Sequence, residues 1–81
     1  MVAQIAYGPS VREFLETHPG AEEVRVVVRL LERGRAPVAS VSYGDGPGET
    51  FLKLDCGWTL FWHYESPARQ LLVMHKVTPP G

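Results

Sequence analysis

Between Val2 and Tyr7 runs a short, apolar, β-prone stretch closed by Gly8-Pro9, which predicts an opening strand and then a break. Of its two alternating sets, Ala3, Ile5 and Tyr7 form the more apolar one. Ser10 and Glu13 then have the spacing of a capping box, the hydroxyl serving the amide of Glu13 and the carboxylate that of Ser10. A helix is expected from Ser10, with Val11, Phe14, Leu15 and His18 on one face, stopping near Thr17 because Pro19-Gly20 follows. Residues 21–33 fit two periods: Val24, Val27, Val28 and Leu31 suit a helix, whereas Val24, Val26, Val28 and Leu30 suit a strand. β-branching argues for the strand. The placement of Glu22 and Glu23 at one end, Arg29 and Arg33 at the other and Gly34 as a C-cap argues for the helix, which is the preferred reading.

Beyond Gly34-Arg35-Ala36-Pro37 the period changes to short β-prone runs separated by turn residues: Val38 to Tyr43, Thr50 to Asp55, Trp58 to Tyr64 and Gln70 to Val77. A loop at 44–48 separates the first two, Cys56-Gly57 reads as a two-residue hairpin loop, and Glu65 to Ala68 as a four-residue one. Thr78-Pro79-Pro80-Gly81 cannot extend a ladder and reads as a tail. The expected fold is a single α+β domain over 1–81: a short N-terminal strand, two helices, then a mainly antiparallel sheet of three to four strands.

Composition narrows the function classes. The chain has 81 residues, 44% hydrophobic and 21% charged, enough for one core and no second domain. A formal net charge of −1, with both signs mixed along the chain, gives no block that advertises a nucleic-acid or lipid surface. The single cysteine, Cys56, has no second Cys with which to form a bridge, redox or zinc motif, so it reads as a structural thiol in a reducing compartment. With no basic start, no apolar leader and no membrane-length run, the expectation is a cytoplasmic protein. No cofactor or metal motif is present in the sequence.

A two-residue Cys56-Gly57 loop would pair Asp55 with Trp58, Lys53 with Leu60 and Phe51 with Trp62, and the next hairpin would pair Trp62 with Leu71 and Trp58 with His75. One sheet face would then carry Leu52, Leu54, Thr59, Phe61, His63, Gln70, Leu72 and Met74 as the floor for the helices. The other would carry Asp55, Trp58 and His75 in one row, Lys53, Leu60 and Val73 in the next, and Phe51, Trp62 and Leu71 beyond. In this register His63 and His75 point to opposite faces and form no dyad; His63 reads as a satisfied or rim histidine. Phe51, Trp62 and Leu71 form an apolar patch suited to a partner protein or a second copy of the chain.

The order of a strand, two helices and a run of antiparallel strands, read with Tyr7-Gly8-Pro9-Ser10-Val11-Arg12-Glu13-Phe14-Leu15 and Leu72-Val73-Met74-His75-Lys76, resembles the RelE/ParE toxin superfamily over nearly the whole chain. The resemblance also takes in Leu30-Leu31-Glu32-Arg33-Gly34 at the end of the second helix and the Gly57-Trp58 step before an aromatic strand. It implies the toxin-like component of a type II toxin–antitoxin system, paired with an antitoxin. The RelE-like branch cuts mRNA on the ribosome and the ParE-like branch targets DNA gyrase. Thr59 and Leu60 stand where members usually carry an Arg just after the Gly-aromatic step, and the terminal aromatic is absent, so an endoribonuclease site in this chain would be a degenerate one. In that reading His75 serves as general base or acid, Lys53 and Lys76 hold phosphate, Arg35 reaches in from the loop before the sheet, and Trp58 stacks on a base. The competing reading is a non-catalytic protein-binding module that uses the aromatic sheet face.

Overall fold

Helix α1 (Pro9–Thr17) starts one residue before the expected capping box, since Pro9 takes the first helical position, where its fixed φ suits the helix, and leaves Gly8 as N-cap. No side chain caps this end, so the Ser10–Glu13 box does not form. The Ser10 hydroxyl instead accepts a hydrogen bond from the Val77 amide at 3.2 Å, pinning the helix to the last strand. Helix α2 (Ala21–Glu32) decides the ambiguous segment in favour of the helix. It ends in a Schellman arrangement: the Gly34 amide donates to Leu31 and the Arg35 amide to Leu30, with Gly34 at φ 74°, a conformation that glycine reaches without a Cβ clash.

The protein is described by a computed structural model over residues 4–43, 49–66 and 71–81. Expectations for Val2 and Ala3, the 44–48 loop and the turn and strand start at 67–70 fall outside the described residues. The strands are β1 (Gln4–Tyr7), β2 (Val41–Ser42), β3 (Thr50–Lys53), β4 (Thr59–Ser66) and β5 (Leu71–Thr78). They form one sheet in the order β1-β5-β4-β3-β2, with β1 parallel to β5 and the other pairs antiparallel. The α+β class is as expected, although the sheet has five strands because β1 joins its edge. The two helices carry the chain from that edge to the opposite one, and a meander brings it back. The run expected at Val38 to Tyr43 is ordered as a strand only over Val41–Ser42, since Pro37 opens a turn closed by the Ser40 amide on its carbonyl at 3.0 Å.

Both helices pack on one face of the sheet. Val11, Phe14, Val24, Val27 and Leu31 meet Leu52, Leu54, Leu60, Trp62, Leu72, Met74 and Val77. Fully burying a side chain such as Leu60, Leu72 or Met74 contributes about 1.5 to 3 kcal/mol against leaving it exposed. Among the described residues no element covers the opposite face.

Gly8 sits against β5 with its amide on the Met74 carbonyl at 2.8 Å, and a Cβ there would overlap the His75 carbonyl oxygen, with the carbonyl carbon at 3.0 Å. Backbone cannot step aside as a flexible side chain does. Gly8→Ala is therefore expected to destabilise the fold by about 1 to 3 kcal/mol, as overpacking does, and urea unfolding would reveal it; an unchanged midpoint would contradict this close approach.

Candidate functional site

The uncovered face is set by two departures from the simplest hairpin geometry. The β3–β4 loop has three residues, not two: Leu54 donates to the Trp58 carbonyl at 2.7 Å, Gly57 donates to Leu54, and Gly57 lies at φ 95°. Asp55 is drawn out of the ladder by the Glu23 carboxylate, which accepts its amide at 2.9 and 3.0 Å. Leu52 therefore pairs with Leu60 and Phe51 with Phe61, one residue from the expected register, and every β4 side chain changes face. Trp62 moves into the core and is only 2% exposed, which removes it from the expected partner patch. Leu60 is buried beside it, whereas Phe61 and His63 turn outward.

The second departure is the β4–β5 register, in which Trp62 pairs with Met74, three positions from the expected Leu71, together with a bulge in β5. Phe61 pairs with Lys76 but Trp62 pairs with Met74, so His75 is an extra residue with no opposite number. A bulge lets consecutive side chains share a face that strict alternation would deny them. His75 and Lys76 both come to the open side: Lys76 Nζ lies 4.6 Å from the Phe61 ring centre, and the His75 ring is 6.1 Å from it.

Together these shifts overturn the expectation that His63 and His75 are kept apart. Their Nδ1 atoms are 3.0 Å from each other, and His63 Nε2 is 3.2 Å from Glu65 Oε2. A carboxylate only accepts, so His63 Nε2 carries a hydrogen and donates it. The Nδ1 of a neutral His63 is then a bare lone pair, and His75 must donate its Nδ1–H to it. It follows that the neutral His75 presents an unprotonated Nε2, which has no hydrogen-bond partner among the described residues. His63 is 27% exposed, so the pair is reachable from solvent.

His75 is pushed below the ordinary histidine range by partial burial first, then by His63 and Lys76, with Glu49 opposing. A histidine whose pKa is lower in the folded state favours folding above its unfolded value, and that contribution is lost as pH falls through the folded value. Stability should therefore decline on acidification from neutral pH, and His75→Ala should flatten that decline in thermal scans between pH 7 and 5. An acid-side slope identical in parent and variant would show that another group is responsible.

Extending from the pair is an aromatic row. Phe61 stands 6.0 Å from Phe51, and Tyr43 is 5.7 Å from Phe51 and 6.2 Å from Phe61. Lys53 and Leu71 lie on the same face by alternation from Phe51 and Val73. The remaining expected site residues do not join them. Trp58 lies on the helix side, 5.2 Å from Phe14 and 5.0 Å from His18, and not with Lys53 and His75. Asp55 is held in the hairpin loop by Glu23. Arg35 is exposed after α2, and its guanidinium has no hydrogen bond or ion pair among the described residues. Tyr43, Phe61, His63 and Glu65 are the residues that the sequence reading missed at this site; the His63-Tyr64-Glu65 spacing, which puts a base and an acid on one strand face, was the available signal.

Among the described residues no helix is long and apolar enough to cross a membrane. Comparison with family models, with curated proteins and with solved structures found no match to this chain.

Proposed function

We propose that this protein is the toxin-like member of a type II toxin–antitoxin pair and that its open sheet face cleaves mRNA on the ribosome. The observation that carries the reading is the chain Glu65–His63–His75, which ends in an imidazole nitrogen with no hydrogen-bond partner among the described residues. The 2′-hydroxyl of RNA attacks the neighbouring phosphate once a base removes its proton, the P–O5′ bond breaks to leave a 2′,3′-cyclic phosphate, and the departing 5′-oxygen takes a proton from water. His75 Nε2 is that base. As it takes the proton, the positive charge on the ring is shared through Nδ1–H with His63, whose other nitrogen is backed by the Glu65 carboxylate. His63 is thus a positioning residue: it fixes which His75 nitrogen is free. Lys76 and Lys53 supply the cations of this face for the phosphate, and Phe51 and Tyr43 offer stacking surface for bases, a contact worth roughly 1 to 3 kcal/mol each. Trp58 and Arg35 have no part in it.

Inducing the gene in a bacterial host, with and without its neighbouring reading frame, tests the proposal: growth should stop, messenger should fragment, and the neighbour should relieve both. Growth arrest with intact messenger would favour the second reading, a protein-binding module or homodimer. That reading is supported by the short edge strand β2, which leaves Val41 and Tyr43 exposed beside the aromatic row.

A further inference from the structure

We infer that His63 and His75 form a two-nitrogen site for a tetragonal divalent transition metal ion, copper(II) by preference, with the metal taking the place of the proton that the two imidazoles share. Two nitrogens bound to one ion at about 2.0 to 2.1 Å, and 3.0 Å from each other, subtend an angle at the metal of about 90 to 97°. That is the cis angle of square-planar and tetragonal centres, and it is tighter than a tetrahedron asks. The ring centres are 4.9 Å apart with the planes tilted by 49°, closer than a head-on nitrogen pair would hold them, an arrangement compatible with both Nδ1 atoms facing one ion.

The surroundings are those of a metal ligand. A ligating histidine characteristically gives its other ring N–H to a carboxylate, which fixes the tautomer and raises the basicity of the ligating nitrogen. Glu65 stands in that position to His63. His75 needs only to move its hydrogen from Nδ1 to Nε2, so coordination releases no net proton from a neutral pair. Both residues sit on adjacent strands of a five-stranded sheet, one of them in a bulge, so the two arms are set before the ion arrives. Among the described residues no third ligating side chain joins them, and water fills the remaining positions. Nickel(II) and zinc(II) should bind more weakly than copper(II) at nitrogen ligands of this geometry.

The binding stands apart from the proposed RNA cleavage. One consequence does rest on that reading: a metal on Nδ1 leaves His75 protonated on Nε2, so the ion and the base role exclude each other and copper(II) inhibits cleavage.

The test is titration of chelator-treated full-length protein with copper(II), followed by calorimetry and electron paramagnetic resonance. One ion per chain is expected, with hyperfine structure from two equatorial nitrogens. His63→Ala and His75→Ala should each weaken binding by about 10²-fold or more, the loss of one arm of a chelate, and Glu65→Gln by about 10 to 100-fold. His18→Ala, on the helix side, should change nothing. A spectrum with a single nitrogen, parent-like affinity in either histidine variant, or loss of binding in His18→Ala would overturn the site. Should a histidine variant fail to fold, Glu65→Gln alters only an exposed carboxylate, and unchanged affinity there would equally count against it. Copper binding without any RNA cleavage would uphold the site and sink the nuclease reading; cleavage without copper binding would do the reverse.

Discussion

His75→Ala is expected to slow messenger cleavage by about 10² to 10⁴-fold, the range over which a positioned general base acts. The loss should appear in the rate at saturating ribosomes, because His75 acts on the proton in the transition state and its removal leaves the cations of the face in place. His63→Ala should cost nearly as much, although His63 touches no substrate in this scheme: without its Nδ1 lone pair the His75 tautomer is no longer fixed. The double variant should be little worse than either single one, since residues that act as a unit are not additive. A merely structural role for His63 predicts something else, a fall in thermal stability with an unchanged pH profile. If messenger is cut and His75→Ala cuts it at the parent rate, the base lies elsewhere.

Trp62→Ala should destabilise the domain by about 3 to 5 kcal/mol, the usual cost of deleting a buried large aromatic side chain. Trp62 is 2% exposed, within the same core cluster as Leu60, Phe14 and Val11. A domain of this size holds only about 5 to 10 kcal/mol in all, so the variant should be partly unfolded at growth temperature. Trp58 remains as the fluorescent reporter for a urea titration. Had Trp62 lain on the partner patch, truncation would have shifted stability by no more than about 0.5 kcal/mol and acted on association instead. A midpoint close to that of the parent would therefore restore the earlier register.

The elements were legible because their signals are local. Pro9, Pro19-Gly20 and Gly34 bracket the helices within a residue or two, and acids at the start and bases at the end of 21–33 outweigh its β-branched content. The site was not legible, because it depends on the registers of two hairpins, which no local signal carries. Whether the β3–β4 loop holds two residues or three turns on Asp55, whose amide is engaged by Glu23 from a helix 32 positions away. Whether His75 is paired or extruded turns on a bulge beside the point where Gly8 presses on the same strand. Each changes the pairing opposite Phe51 or Trp62 by an odd number of places. In a structure whose side chains alternate with period two, one place exchanges surface and core. Hence Trp62 and His63 were each assigned to the face that the other occupies, and a dyad was discounted that the fold brings together.

The parallel pairing of β1 with β5 bears on how the chain is made. Ser10 and Val77 are 67 positions apart, and among the described residues β1 pairs with β5 alone, the first strand of the order with the last. On a ribosome α1 can meet α2 early, but β1 and the part of α1 that packs on β5 must wait until β5 has been synthesised. The β2-to-β5 meander can form by short hairpins within microseconds, whereas closing the longest loop comes last and costs more entropy than any one hairpin. The nascent chain can therefore add the β1 edge only after the meander is made, and the imidazole pair lies across the β4–β5 ladder to which that edge attaches.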